Sequence, residues 1–169
     1  MRLVLLPYDR RRAVRYAHRW AYGRNPVFYD YENIGGDCTN FASQCLFAGG
    51  GVMNFTKDFG WYYLDANRKA PAWTGVSYLY DFLTRNKPSV GPYAEETEIT
   101  DIRPGDLVQL SFRDGTYQHT PVVVYAKQPK TPGDILVAAH SYDADDRPLD
   151  SYTFDKIRFL HVTGVYQSL

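Results

Sequence analysis

The chain has little of what usually marks a metalloprotein or a disulfide scaffold: two cysteines and four histidines in 169 residues. On a shared helix, Cys38 and Cys45 stand two turns apart, roughly 10 Å along the axis, which is too far for a disulfide. Two free thiols make no cross-linked framework. There is no CxxC and no HxxxH to hold zinc. The acidic run Asp143, Asp145, Asp146 lacks the glycine and closing glutamate of an EF-hand loop, so no metal and no other cofactor is expected. Formal net charge is zero, which gives no global field toward nucleic acid or an anionic membrane. No stretch approaches the ~20 apolar residues of a membrane span. Met1 to Pro7 is apolar but too short for a signal-peptide core. The chain as it stands is therefore expected in the cytoplasm, or at the cell wall if it is one domain of a longer exported parent.

What is abundant is aromatic: fifteen Tyr, nine Phe and three Trp. Flat, amphipathic rings suit a groove for an extended ligand, and they suit an ordinary core equally well. There is no repeat, linker or low-complexity tract, so residues 1–169 read as a single domain. Helical patterning fills the first half and strand patterning the second, which makes the expected class α+β, with N-terminal helices packed on an antiparallel sheet of about four or more strands. Asp9 caps a helix running to about Tyr22, with Ala13, Ala17 and Ala21 inward and Arg11, Arg12, Arg15 and Arg19 in water. A second helix opens at Asp37–Cys38 and stops at Gly49-Gly50-Gly51. A third covers Val76 to Asn86. Strands are expected over Asp106–Phe112, Thr120–Ala126, Ile135–Ser141 and Ile157–Tyr166, the middle two joined as a hairpin through Gln128–Gly133.

Cys38 is the residue whose position carries chemistry. At a helix start, unpaired amides and the helix dipole favour a thiolate and can donate to an oxyanion. Gly35-Gly36 before it lets the chain come close to a substrate carbonyl. Asp37 acts the other way, since an adjacent carboxylate raises a thiol's pKa. Cys45, within the apolar stripe of the same helix, reads as an inert core cysteine. His119, at the mouth of the strand Val122–Tyr125, is the expected base and acid. A hairpin turn centred between Gln128 and Gly133 puts His119 opposite Tyr142, with His140 two residues away on the same face, close enough to orient the imidazole. A one-residue slip in register would undo this. Asp143 is the alternative third residue. His18 and His161 read as structural or exposed.

The run Gly35-Gly36-Asp37-Cys38-Thr39-Asn40-Phe41-Ala42-Ser43-Gln44, followed by Leu46 and Gly49-Gly50, resembles the signature of the Putative amidase domain family. This bacterial group is allied to the NlpC/P60 and CHAP cell-wall hydrolases of the papain-like superfamily. Arg103-Pro104-Gly105-Asp106-Leu107-Val108 resembles the turn and strand before their catalytic histidine. Gln118-His119-Thr120 and Ala139-His140-Ser141 resemble their histidine strand and third-residue strand. The resemblance spans about Ala13 to Tyr166 and implies a papain-like fold in which Cys38, His119 and His140 are catalytic. The glutamine that papain uses at its oxyanion site would fall near Glu32, and an ionised glutamate cannot donate a hydrogen bond. Tyr31 and Asn33 are the replacement candidates. Trp61 and Trp73 fall in the region that resembles the family's aromatic insert and are candidates for a substrate groove.

The function implied is a cysteine-nucleophile hydrolase of amide (peptide) bonds, with a peptide or peptidoglycan-like substrate. The alternatives are a catalytically inactive peptide- or glycan-binding module, and an acyltransferase using the same Cys–His pair.

Overall fold

The first helix starts where its cap requires: the Asp9 carboxylate accepts from the Arg12 amide at 3.1 Å, satisfying one of the free donors of the first turn. The computed structural model describes residues 2–169. Strand β1 (Leu3–Leu6) precedes this helix, α1 (Arg10–Trp20), and α2 (Cys38–Gly50) follows it. A small hairpin of β2 (Tyr63–Asp65) and β3 (Arg68–Lys69) leads into α3 (Pro71–Thr74) and α4 (Val76–Leu83). The remaining strands are β4 (Gly91–Thr97), β5 (Leu107–Ser111), β6 (Val122–Ala126), β7 (Ile135–Ala139), β8 (Ala144–Pro148) and β9 (Lys156–Ser168). Seven of them form one sheet in the order β1-β9-β5-β6-β7-β8, with β4 also on β9, and every pairing is antiparallel. The class is α+β.

The sheet is larger than its patterning suggests. β1, β4 and β8 were not expected as strands, because short or polar edge segments carry weak alternation. Asp145 and Asp146, expected in a surface loop, lie on β8. The third helix ends at Leu83 instead of Asn86. There the Arg85 guanidinium takes the carbonyls of Phe82, Ser89 and Pro92 at 2.6–2.8 Å and turns the chain toward β4.

α2 is the buried axis of the molecule, with every residue from Cys38 to Leu46 buried. Ala13 and Ala17 of α1 are small enough to let the two helices close on each other, while Arg11, Arg12, Arg15 and Arg19 stay in water. Gly51 ends α2 in the left-handed conformation (φ 79°), its amide returning to Phe47 O at 2.8 Å. Only a residue without Cβ takes that geometry cheaply. The main core lies between the helices and one sheet face and includes Phe41, Leu46, Trp61, Trp73, Leu107 and Val165. A second apolar cluster covers the opposite face, with Val108, Leu110, Val123, Val137, Leu149 and Tyr152.

The segment Arg103–Asp106 ties these layers together. Asp106 is fully buried and receives Arg10 at 2.7 Å, His161 Nδ1 at 2.9 Å and the Val162 amide at 2.8 Å. Gly105 (φ 91°) donates its amide to Val123 O and accepts from the Tyr8 hydroxyl, at 2.8 and 2.9 Å. This turn therefore joins α1, β5, β6 and β9, and fixes where the strand after it begins.

Candidate functional site

Cys38 is the first residue of α2, and its neighbour Asp37 stands at the cap position without capping. No bond runs from the Asp37 carboxylate to the helix amides. Instead, Asp37 Oδ1 accepts from Tyr31 N and Asn40 Nδ2, both at 2.9 Å, and Oδ2 meets His140 Nδ1 at 2.5 Å. The capping carboxylate is thus turned away, and the donors of the first helical turn are left to the sulfur. The amides of Thr39 and Thr120 and the Thr39 hydroxyl, 3.7 Å from Sγ, all favour the thiolate. Burial outweighs them and, with a smaller contribution from Asp37, pushes the thiol up from its ordinary value. The resting thiol is neutral, and its Sγ lies 3.9 Å from the carbonyl oxygen of Gln118. Cys45 is fully buried and its thiol is raised well above the ordinary range by burial. Both cysteines are free.

His140 does not stand beside His119. The hairpin pairs Ala126 with Ile135 and Tyr125 with Leu136, but Val123 with Val137 and Val122 with Ala138. One residue is gained at Val124. This bulge is the one-residue slip that turns His140 to the other face. There it is buried, stacked on Phe41 at 4.0 Å between ring centroids. Its Nε2 meets Trp20 O at 2.7 Å and its Nδ1 meets Asp37. Both ring nitrogens are thus taken, one by Asp37 and one by the Trp20 carbonyl, and neither is left for His119. Asp143, the alternative, forms a two-pronged pair with Arg24 at 2.9 and 3.1 Å. Arg24 also reaches Asp30 and Glu32 at 3.1 and 3.5 Å, and its Nε lies 3.6 Å from Asp37 Oδ2. Arg24 is therefore a cation that offsets Asp37 beside the thiol.

His119 and Cys38 line one cleft of about 610 Å³. His119 sits just before β6, bridged to Leu110 of β5, with its ring between those of Phe112 and Tyr152, at 5.8 and 5.6 Å. Burial, aided by the nearby Arg147 charge, lowers its pKa to about 4. The imidazole is neutral at rest. The cleft wall opposite is closed by two consecutive left-handed residues, Ser141 (φ 63°) and Tyr142 (φ 61°), a conformation that costs about 1–3 kcal/mol per residue. The turn brings Ser141 Oγ to the Asp37 amide at 3.0 Å and to Glu32 at 3.2 Å. A Cβ at Gly36 would press on the same Oγ at 3.2 Å, and its positive φ (101°) strains any side chain there, so the backbone two residues before the candidate nucleophile favours glycine.

Tyr31 and Asn33 lie outside this cleft. The Tyr31 hydroxyl donates to Ala66 O at 3.0 Å and its pKa is pushed up to about 12 by burial. Asn33 is exposed in the turn after it. Neither is among the residues that line the cleft at Cys38. Trp61 and Trp73 are also displaced from the groove role. Both are fully buried, 4.7 Å apart, and their indole N–H groups donate to Ser43 Oγ at 3.0 Å and Asn40 Oδ1 at 2.9 Å. Those bonds explain the polar residues on the interior of α2. Pattern reading missed Arg147, Ser151 and Tyr152, which complete the cleft. No motif marks them, and only the return of β8 and the turn after it brings them to Cys38. Among the described residues, His18, Asp145 and Asp146 come close enough to share a cation. Asp145 there is already paired with His18 at 2.8 Å.

A cysteine at a helix start and a histidine at a strand mouth, sharing one cleft of an α+β domain, define a class of site suited to nucleophilic chemistry on carbonyls. The sequence profile of the Putative amidase domain family matches residues 7–163. The chain belongs to that family, whose name points to hydrolysis of amides. It is 33% identical over 140 residues to the uncharacterized protein YhbB of Bacillus subtilis (strain 168), covering 81% of this chain and 42% of that protein. The chain thus spans less than half the length of this relative. No solved structure matches it.

Proposed function

We propose that this domain is a papain-like cysteine hydrolase of NlpC/P60 type that cleaves amide bonds in peptides, cell-wall peptides among them, with Cys38 as nucleophile and His119 as base and acid. The observation that carries this reading is the shared cleft, which a helix-borne thiol and a sheet-borne imidazole both line. Since both groups are neutral at rest, the proton moves as the bond forms. His119 takes the thiol proton while sulfur adds to the carbonyl carbon. The tetrahedral oxyanion is stabilised by free amides at the start of α2, which the turned-away Asp37 does not occupy. His119 then gives the proton to the leaving amine, the C–N bond breaks and a thioester remains. Water, deprotonated by His119, attacks the thioester carbonyl. The acid is released and the thiol restored.

His140 is in this account a positioning residue. It holds Asp37, and through Asp37 the first turn of α2. The test is incubation of the protein with whole peptidoglycan and with simple peptides, followed by mass analysis of the fragments. New amine and carboxyl ends made by the wild type and abolished in Cys38→Ala support the reading. Binding without cleavage, indifferent to Cys38, would make the domain a recognition module.

A further inference from the structure

The cleft beside Cys38 carries one formal charge, and it is positive. Its lining holds no carboxylate, while Arg147 of β8 opens onto it. Arg147 is held on three sides. Nε donates to Ser151 Oγ at 2.8 Å, Nη2 to Ser151 O at 3.3 Å, and the guanidinium lies 3.6 Å over the Tyr152 ring. Among the described residues no acidic group forms an ion pair with it. An arginine whose plane is fixed in advance loses little freedom when it takes a ligand. On the same wall, the Tyr152 hydroxyl is buried, and the Arg147 charge acts on it, lowering its pKa against the larger effect of burial.

From this geometry we infer that Arg147 is a substrate-carboxylate site, and that the domain acts on amides with a free carboxylate close to the scissile bond. The inference rests on the cysteine-hydrolase reading and narrows its substrate to acidic or C-terminal peptides. An anion placed there also acts on the catalytic pair. Arg147 is one of the two causes that hold His119 in its neutral form. A bound carboxylate cancels that cation, so His119 takes the thiol proton more readily when the correct substrate is in place.

Two alkylating probes of nearly equal shape test this at Cys38: iodoacetate, an anion, and iodoacetamide, its neutral counterpart. In both reactions the sulfur displaces iodide, so the ratio of the two rates cancels changes in the thiol itself and reports the site's preference for charge. Rates are read by mass spectrometry of the Cys38 peptide. The iodoacetate-to-iodoacetamide ratio in the native protein should exceed that of the urea-unfolded protein about tenfold, the scale of one charge-assisted hydrogen bond. Arg147→Met should remove the excess and Arg147→Lys keep part of it. A second measurement needs only the wild type: N-acetylglycine should slow iodoacetamide labelling of Cys38, and N-acetylglycinamide at equal concentration should not. A native ratio equal to the unfolded one, or unchanged in Arg147→Met, overturns the carboxylate site. So does equal protection by acid and amide, which decides the matter if Arg147→Met does not fold. Labelling of Cys38 by neither probe overturns the hydrolase reading beneath it.

Discussion

His140 and Asp37 are joined across the interior, ring Nδ1 to carboxylate oxygen at 2.5 Å, with both side chains only 1% exposed. The pair links β7 to the start of α2, and its other nitrogen pins the end of α1 through Trp20 O. Removing one side of such a pair leaves a buried polar group short of a partner. His140→Asn should therefore lower unfolding stability by about 1–3 kcal/mol, read from urea denaturation. In a variant that still folds, the loss should appear as a smaller fraction of Cys38 poised for reaction and not as a new pH dependence. A stability change below about 1 kcal/mol would show that the pair does not hold α2.

The pH dependence of stability follows from His119. Its folded pKa, near 4, lies below the ordinary value of 6.5, so folding favours the neutral ring. The contribution is fully present above 6.5, declines as the pH falls from 6.5 to 4, and is gone below that. The span is worth about 3 kcal/mol. The difference in unfolding free energy between wild type and His119→Gln, followed from pH 8 to 4, should show this slope. A flat difference would mean that the ring is not held neutral.

The resting state of the nucleophile gives a second pH test. With burial raising the Cys38 thiol and His119 neutral, alkylation of the free enzyme by iodoacetamide should rise through pH 8 and above with no plateau between 5 and 8. A preformed thiolate–imidazolium pair would give that plateau. Cys45, fully enclosed and raised further, should stay unlabelled until the protein is unfolded.

Trp73 tests the reassignment of the aromatic residues. It stacks with Phe28 and meets Trp61, Tyr63 and Phe47 in the core. Trp73→Ala should cost about 3–5 kcal/mol of stability. If Trp73 instead formed a substrate groove, the variant would keep its stability and lose affinity for peptide.

These outcomes mark how far the sequence could be read. The starts and stops of α1 and α2 were legible because Asp9 and Gly51 act locally, through one cap bond and one left-handed turn. Cys38 at a helix start and His119 at a strand mouth were legible for the same reason. The third residue was not. It depended on register, and a bulge at Val124 leaves no trace in residue types, yet moves His140 from His119 to Asp37. The two tryptophans misled because an indole with a buried hydrogen-bond partner looks, in sequence, like an exposed one. Arg147 and Tyr152 belong to a strand and turn whose place beside Cys38 is set only by tertiary folding.

The central claim is that Cys38 attacks an amide carbonyl and carries the acyl group before water does. Intact-mass spectrometry of the protein, quenched in acid during turnover of a peptidoglycan digest, tests it most directly. An acyl adduct is expected on the Cys38 peptide in the wild type, released by hydroxylamine, with neither adduct nor cleavage in Cys38→Ala. Cleavage that persists in Cys38→Ala would contradict it.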